Sequence, residues 1–144
     1  MTYLPIVFLA HPVGAPTPDG IEANLRQARR WLAWLIRNTP FAYQCSWLGW
    51  TNTGVLEENA DGDRERGLEM NAELLRGCDA IALCGGRISP GMERELARAQ
   101  QLGLAIVDLT PLGASPPDLT VHESLLQLYA LGQRRPSPLG SHGT

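Results

Sequence analysis

Two carboxylates, Glu93 and Glu95, lie at helical spacing after a short apolar run and a glycine-rich turn. On a helical wheel of about 100° per residue, Glu95 falls inside the apolar arc and Glu93 falls outside it. The arc is made of small or apolar residues: Met92, Leu96, Ala99, Leu102 and Gly103. An ionised carboxylate that is buried without a partner costs several kcal/mol, so Glu95 requires an ion pair, a raised pKa or a ligand. Two interpretations stay open, a functional carboxylate and a carboxylate that pairs with a nearby arginine.

The turn before this helix, residues 85–91, has the composition of a ligand-binding loop. The first turn of a helix offers backbone N–H groups that have no acceptor within the helix, and these groups bind anions or sugar oxygens. A carboxylate one turn further along can then act on the bound group. The turn and Glu95 together predict a binding or catalytic site.

Length and charge restrict the classes of protein and partner. With 144 residues, 44% of them hydrophobic, the chain can form one core, and we expect a single domain over residues 1–132 and a disordered tail at 133–144. The net charge of -3 and a pI near 5.6 argue against nucleic acid or an anionic membrane as the partner. All 12 basic residues are arginines, which excludes a Schiff-base lysine, a pyridoxal-phosphate anchor and a Walker A loop.

The three cysteines, Cys45, Cys78 and Cys84, form no C-x-x-C pair. Their odd number predicts free, buried thiols rather than a disulfide framework or a thiolate zinc site, and we expect neither a metal nor another cofactor. The apolar run at residues 3–10 follows no basic residue, so it is predicted to be a buried strand rather than a signal peptide. No stretch has the length needed to cross a bilayer, and we expect a cytoplasmic protein.

Strand patterns and helix patterns alternate along the chain, which is typical of a parallel sheet covered by helices. The predicted strands are residues 3–10, 41–47, 80–84 and 104–109. The predicted helices are residues 21–38, residues 63–76, the helix that carries Glu95, and residues 121–131. Residues 48–61 lack periodicity and are predicted to be a long surface loop. The pattern predicts an α/β fold of the flavodoxin or Rossmann type, a doubly wound parallel sheet of four to five strands with helices on both faces.

The order of these elements also predicts where a ligand binds. In a doubly wound sheet, ligands bind beyond the carboxyl ends of the strands, where the strand order reverses. The loops at residues 10–14 and 85–91 both leave carboxyl ends of strands. We therefore expect His11, Ser89, Gly91 and Glu95 to lie next to one another.

Several short motifs follow one another between Tyr3 and Leu109. Residues 8–12 end in an H-P turn, Asn24 and Ala28 follow on the first helix, and residues 71–79 and 89–95 read N-x-x-x-L-x-x-x-D and S-x-G-x-x-x-E. Together they resemble the nucleoside 2-deoxyribosyltransferase superfamily, which also contains nucleotide N-glycosidases. A closer similarity is to an uncharacterised bacterial and phage branch with H-P, R-x-x-G-L-E-x-N and R-I-S-x-G-M-x-x-E motifs.

This resemblance implies a catalytic role for Glu95. In the family, the corresponding carboxylate attacks the anomeric carbon of a deoxyribose, and a base or water then resolves the glycosyl-enzyme. An oxocarbenium-like transition state requires an adjacent carboxylate, so the residue type suits the reaction. The second acid of the family maps to Asn71, whose amide has no titrating proton to donate.

The resemblance also implies a nucleoside or nucleotide ligand. Ser89 and Gly91 are expected to donate to a 5′-phosphate, and Arg87 either adds positive charge there or is an exposed loop cation. His11, with Pro12 in the same turn, is expected to contact the phosphate or the base, or else to be a surface or packing residue. Asp79 is expected either to contact the ligand or to brace the turn. Three aromatic residues are candidates for stacking on a nucleobase: Trp47, Trp50 and Tyr43.

The first helix carries Trp31 and Trp34 three residues apart, and these rings are expected to pack against the sheet or against a partner subunit. Because one of the two lies on the exposed face of the helix, we expect a homodimer or a higher homo-oligomer. Three functions remain open from the sequence. The first is an enzyme that processes nucleoside N-glycosides, the second is a nucleotide-binding module without activity, and the third is a structural or assembly protein.

Overall fold

The structure is a computed structural model, and it describes residues 4–117. The helix predicted at residues 121–131 and the tail predicted at 133–144 lie outside the described residues. Residue 3, the first residue of the strand predicted at 3–10, also lies outside them.

Four parallel strands form one sheet in the order β2-β1-β3-β4. The strands are β1 (Ile6–Ala10), β2 (Ala42–Gln44), β3 (Ala80–Leu83) and β4 (Ala105–Asp108). All of β3 and all of β1 after Ile6 are buried, which is typical of parallel strands that helices cover. The predicted α/β doubly wound fold is confirmed, with four strands in the part of the chain that the structure describes.

Helices connect the strands and begin where the sequence supplies capping residues. They are α1 (Pro18–Asn38), α2 (Ser46–Asn52), α3 (Asp61–Leu74) and α4 (Pro90–Gln101), and a short 3₁₀ turn at Leu75–Gly77 follows α3. At the start of α1, the Thr17 hydroxyl accepts from the Gly20 N–H and Pro18 occupies the first turn. Ser89 and Pro90 do the same for α4. The helices predicted at residues 21–38 and 63–76, and the helix that carries Glu95, are therefore confirmed.

The segment between β2 and α3 differs from the prediction. Residues 48–61 are not one surface loop, because α2 occupies Ser46–Asn52, and the strand predicted at residues 41–47 ends at Gln44. The reason is tertiary packing: Trp47 and Leu48 are buried in the core, and the Trp47 indole N–H donates to the Leu9 carbonyl over 2.9 Å. Burying a tryptophan outweighs the weak helix propensity of this seven-residue segment. Only the remainder of the segment, residues 53–60, connects α2 to α3 without a helix.

The aromatic pair on α1 is less exposed than expected. Trp31 is wholly buried, its indole N–H donates to the Ala114 carbonyl over 2.8 Å, and its ring meets that of Trp34 edge to face at 5.7 Å. Trp34 is itself partly buried against the core. Trp31 is therefore a core residue, as the alternative of packing against the sheet predicts, and only Trp34 of the pair presents ring surface outside the core. The homo-oligomer stays a prediction.

Two other features of the described residues follow the sequence. The three cysteines are free thiols, with Cys78 and Cys84 buried and Cys45 partly so. Among the helices of residues 4–117, none is both long enough and apolar enough to cross a membrane.

Two glycines allow the loops at the centre of the sheet to approach each other. Gly85 and Gly86 follow β3 with φ values of 100° and 82°, which only glycine adopts without strain. A Cβ on Gly85 would lie within 2.8 Å of atoms of His11 and Pro12, and one on Gly86 would lie 2.8 Å from the Ala114 backbone nitrogen. The loops after β1 and β3 are thus in direct contact, as the strand order predicts.

Candidate active site

A pocket of about 450 Å³ lies beyond the carboxyl ends of β1 and β3, where the strand order reverses. Its walls come from the loop after β1, α2, the segment between α2 and α3, α3 itself and the start of α4. Most of the predicted site residues line it: His11, Trp47, Asn71, Arg87, Ser89, Gly91 and Glu95. A cavity of this size suits a small organic ligand.

Glu95 lies in this pocket on the buried face of α4, with 8% of its surface exposed, whereas Glu93 is exposed. The helical-wheel prediction is therefore confirmed for both carboxylates. The partner of Glu95 is an amide rather than an arginine, because Asn71 Nδ2 on α3 donates to Glu95 Oε2 over 3.0 Å. Among residues 4–117, no ion pair involves Glu95.

Burial determines the charge of Glu95. Loss of contact with water raises the pKa of Glu95 to about 8, the Asn71 hydrogen bond acts in the opposite direction, and the charge of Glu58 adds to the rise. Glu95 is therefore mainly protonated at pH 7. Asn71 Oδ1 is a buried acceptor without a hydrogen-bond partner in the described part of the chain. The acid and the amide thus form a neutral polar pair inside the pocket.

A second carboxyl group, Glu58, lines the same pocket from the segment between α2 and α3. Its side chain is 14% exposed and forms an ion pair with Arg64 of α3. Burial raises the pKa of Glu58, and the adjacent Arg64 guanidinium opposes that rise. Glu58 was not predicted as a site residue, because residues 48–61 were predicted to be a surface loop. The two adjacent acids Glu57 and Glu58, shortly after Trp50, are the feature of the sequence that could have indicated a site there.

The Arg64 side chain links the walls of the pocket. A Cβ on Gly14 would lie 3.2 Å from Arg64 Nη1 and 3.3 Å from Glu58 Oε1, and a Cβ on Gly91 would lie 4.0 Å from Arg64 Nη2. The guanidinium therefore lies between the loop after β1 and the first turn of α4. Arg64 is the first residue of the R-x-x-G-L-E-x-N motif at residues 64–71, and the sequence predicted no contact for it.

His11 is buried next to the glycine turn, with 6% of its surface exposed. Its Nδ1 atom lies 2.7 Å from the Pro12 carbonyl oxygen, which can only accept, so Nδ1 carries a proton. Burial lowers the pKa of His11, and the positive charge of Arg87 acts in the same direction, although the Pro12 contact opposes both. The ring is therefore neutral at pH 7, and its Nε2 atom is a buried acceptor with no partner in the described residues.

The first turn of α4 has one free donor. Ser89 Oγ accepts from the Met92 N–H over 3.3 Å, and Pro90 has no N–H to offer. The N–H of Gly91, at the second helical position, has no acceptor within the helix. Arg87 is exposed at the edge of the pocket, so it can add positive charge beside this N–H.

The three aromatic candidates differ in how much of each ring faces the pocket. The Trp47 indole N–H is already bonded to the Leu9 carbonyl, and its ring is largely in the core, with 5% exposed. Trp50 also lines the pocket and is only partly buried, so it presents more ring surface to a ligand. The Tyr43 hydroxyl lies 2.6 Å from Thr39 Oγ1, and Tyr43 is not among the residues that line the pocket.

Two of the predicted contact residues are not part of the pocket wall. Pro12 is buried behind His11 against Gly85. Asp79 precedes β3 at the amino end of the sheet, where its Oδ2 accepts from the Ile6 N–H over 2.8 Å. The structure thus places Asp79 as a brace for the sheet, at the opposite end from Glu95.

The pocket contains no set of side chains arranged for a metal. Among the described residues, no group of three or more His, Cys, Asp or Glu side chains could hold a metal ion. The polar groups that face the pocket are suited to an organic ligand with hydrogen-bonding and anionic parts.

Comparison with known proteins gives a family but no activity. Residues 5–109 match the family described as "Domain of unknown function (DUF7768)", a span of more than half of the 144 residues. This span includes every described residue of the pocket from His11 to Glu95. No curated protein matches the chain. The chain therefore belongs to the DUF7768 family, and its chemistry has to be inferred from the pocket.

Proposed function

We propose that the protein is an enzyme that cleaves or transfers the N-glycosidic bond of a nucleoside or nucleoside 5′-monophosphate, with Glu95 as the nucleophile. The observation that carries this proposal is the buried carboxyl group of Glu95, which Asn71 holds in a pocket at the switch point of the sheet. Burying an acid away from any cation is costly, and such groups are concentrated at functional sites.

The proposed reaction has two steps. In the first, a Glu95 oxygen attacks C1′ of the sugar, the bond from C1′ to the base nitrogen breaks, and its electron pair leaves with the base. In the second, water or another base attacks C1′ and releases the Glu95 carboxylate. Asn71 orients Glu95 by donating to Oε2, which leaves Oε1 for the attack.

The other walls of the pocket support a nucleotide as the ligand. The Gly91 N–H and the guanidinium groups of Arg64 and Arg87 offer hydrogen bonds and positive charge for a phosphate at the start of α4. Trp50 offers ring surface for a nucleobase on the part of the wall that α2 forms. A phosphate and a base bound to these groups would leave the sugar between them, which supports Glu95 as the residue that acts on it.

A binding module without activity is the second candidate function. The observation that favours it is the identity of Asn71, because an amide cannot act as the second acid that related enzymes carry at this position. A protonated Glu95 beside an amide also makes a neutral surface suited to hydrogen bonds with a sugar or a base.

One experiment separates the two functions. The protein is incubated with nucleosides and nucleoside 5′-monophosphates, and free base is measured by chromatography for the wild type and for Glu95→Gln. Release of base by the wild type alone supports the enzyme. A thermal shift with the same compounds, but no base release, supports the binding module, since a ligand at 100 times its Kd stabilises the fold by about 2.7 kcal/mol. If the protein shows neither base release nor a thermal shift with any of these compounds, both proposals are contradicted.

A further inference from the structure

The proposed reaction requires a proton donor that the motif residues do not supply. A nucleobase leaves poorly as an anion, so breaking the bond to C1′ is aided by protonation of the base. Asn71 occupies the position of the second acid and has no titrating proton. The donor must therefore be another group in the pocket.

Glu58 has the required placement. Its carboxyl group lines the same pocket as Glu95, but it comes from the segment between α2 and α3. The ion pair with Arg64 holds the carboxyl group in position beside Gly14, in the loop after β1. The negative charge of Glu58 also raises the pKa of Glu95, so the two carboxyl groups interact across the pocket.

The other titratable groups that face Glu58 are less suited to donate a proton. His11 is neutral, its only N–H proton is bonded to a carbonyl oxygen, and its Nε2 can only accept. Asp63 Oδ2 on α3 already accepts the backbone N–H of Glu57, so this carboxyl group is engaged in holding the chain before α3. Arg64 and Arg87 do not release protons near neutral pH.

We propose that Glu58 is a catalytic residue, the general acid that protonates the departing base and then the general base that activates water. This inference rests on the proposed function and adds to it a second catalytic group. It also gives the segment at residues 53–60 a role in the reaction.

The proton and electron balance closes with these groups alone. The free pocket holds one proton, which lies on Glu95, and Glu58 is ionised. In the first step this proton passes to Glu58 and then to the base nitrogen, the Glu95 oxygen bonds to C1′, and the electron pair of the broken C1′–N bond goes to the base. In the second step Glu58 takes a proton from water, the water oxygen bonds to C1′, and the bond from C1′ to Glu95 breaks. The proton then returns from Glu58 to Glu95, so one proton serves both carboxyl groups.

A change of leaving group tests this role. The base that the wild type releases fastest is compared with a derivative that needs no protonation to leave: the 7-methyl base for a purine, the N3-methyl base for cytosine, or the more acidic 5-fluoro base for uracil. We expect Glu58→Gln to lower kcat/KM for the ordinary substrate by about 10²–10⁴-fold. For the activated substrate we expect a decrease of less than about tenfold.

The pH dependence gives a second readout. Above about pH 8 the wild type loses the shared proton, so its kcat/KM should fall there. In Glu58→Gln, Glu95 has lost the group that receives its proton and must be ionised to attack, so the residual kcat/KM should instead rise towards pH 8. Glu93→Gln, an exposed change on the same helix as Glu95, is the matched control and should resemble the wild type.

The outcomes separate this inference from the proposed function. An equal loss on both substrates in Glu58→Gln, or no loss on the ordinary one, would overturn the role of Glu58 and leave the function of Glu95 intact. Retained activity on the activated substrate also shows that the variant is folded. If the wild type releases base from neither substrate, the proposed function itself is wrong and the role of Glu58 falls with it.

Discussion

At the amino end of the sheet, the Asp79 carboxylate accepts from the Ile6 N–H and the Asp79 N–H donates to the Ile6 carbonyl, both over 2.8 Å. At the carboxyl end, His11 Nε2 and Asn71 Oδ1 are buried without partners among residues 4–117, and Glu95 is an acid surrounded by protein. A satisfied hydrogen bond adds about 1 kcal/mol of stability, whereas an unsatisfied buried group costs about 1–3 kcal/mol. One end of the sheet thus stabilises the fold, whereas the other gives up stability around the pocket in which we propose that a ligand binds.

Replacing the carboxyl group of Glu95, at the carboxyl end of the sheet, should have the largest effect on base release. If Glu95 is the nucleophile, Glu95→Gln keeps its size and hydrogen bonding but cannot form the glycosyl-enzyme. We expect base release to fall by about 10³-fold or more. Free base measured by chromatography for the wild type, Glu95→Gln and the exposed control Glu93→Gln checks this. Equal activity in both variants would rule out Glu95 as the nucleophile.

The same substitution should make the protein more stable than the wild type as the pH rises above about 5. Glu95 keeps its proton in the folded protein up to about pH 8, but loses it near pH 4.5 when unfolded. Its contribution is thus fully present below pH 4.5 and is lost as the pH rises through about 8. The wild type should therefore lose about 3 kcal/mol of unfolding free energy, relative to Glu95→Gln, between about pH 5 and 7.5.

Denaturant unfolding of both proteins across this pH range measures the difference directly. Other titrating groups, His11 among them, are present in both proteins, so their contributions largely cancel. If the difference in unfolding free energy between the two proteins stays constant with pH, Glu95 is ionised in the folded protein. The carboxyl end of the sheet would then give up less stability than we infer.

Asn71 should have a smaller effect, through ligand binding. Asn71→Ala removes the 3.0 Å hydrogen bond to Glu95, and we expect ligand affinity to fall by about 1–3 kcal/mol. Asn71→Asp places a second acid beside Glu95, which pushes one pKa of the pair upward, so cleavage should be kept or increased with a new acidic limb in the pH profile. Calorimetric titration and pH-rate profiles measure the two effects. If Asn71→Asp binds normally but cleaves nothing between about pH 5 and 8, the binding module is the better description.

The elements on each side of Glu95 could be predicted from sequence because their signals are local. The apolar arc of α4, the Ser89 cap and the glycine turn all lie within a short stretch of chain, and each favours the same structure. The order of strands and helices then predicted which loops meet. Glu95 and His11 were found in this way.

The rest of the site depends on contacts between distant segments. The α2 helix forms around the burial of Trp47, whose indole bonds to Leu9 38 residues earlier, and no local pattern indicates that contact. Glu58 becomes a pocket residue only once α2 has placed its segment over the strand ends. The sequence also left open which of Trp31 and Trp34 is buried, because the hydrogen-bond partner of Trp31, the Ala114 carbonyl, is 83 residues away.

The smallest expected effect comes from the amino end of the sheet. Asp79→Ala removes the acceptor of the Ile6 N–H, and because this bond is exposed to water we expect a loss of only about 1 kcal/mol in unfolding free energy. Ligand affinity and base release should stay unchanged, since Asp79 lies at the opposite end from the pocket. Denaturant unfolding and the same ligand titration measure the two quantities side by side, with Glu93→Ala as the surface control. A loss of affinity greater than about threefold in Asp79→Ala would show that the two ends are coupled, and the division between a stabilising end and a functional end would not hold.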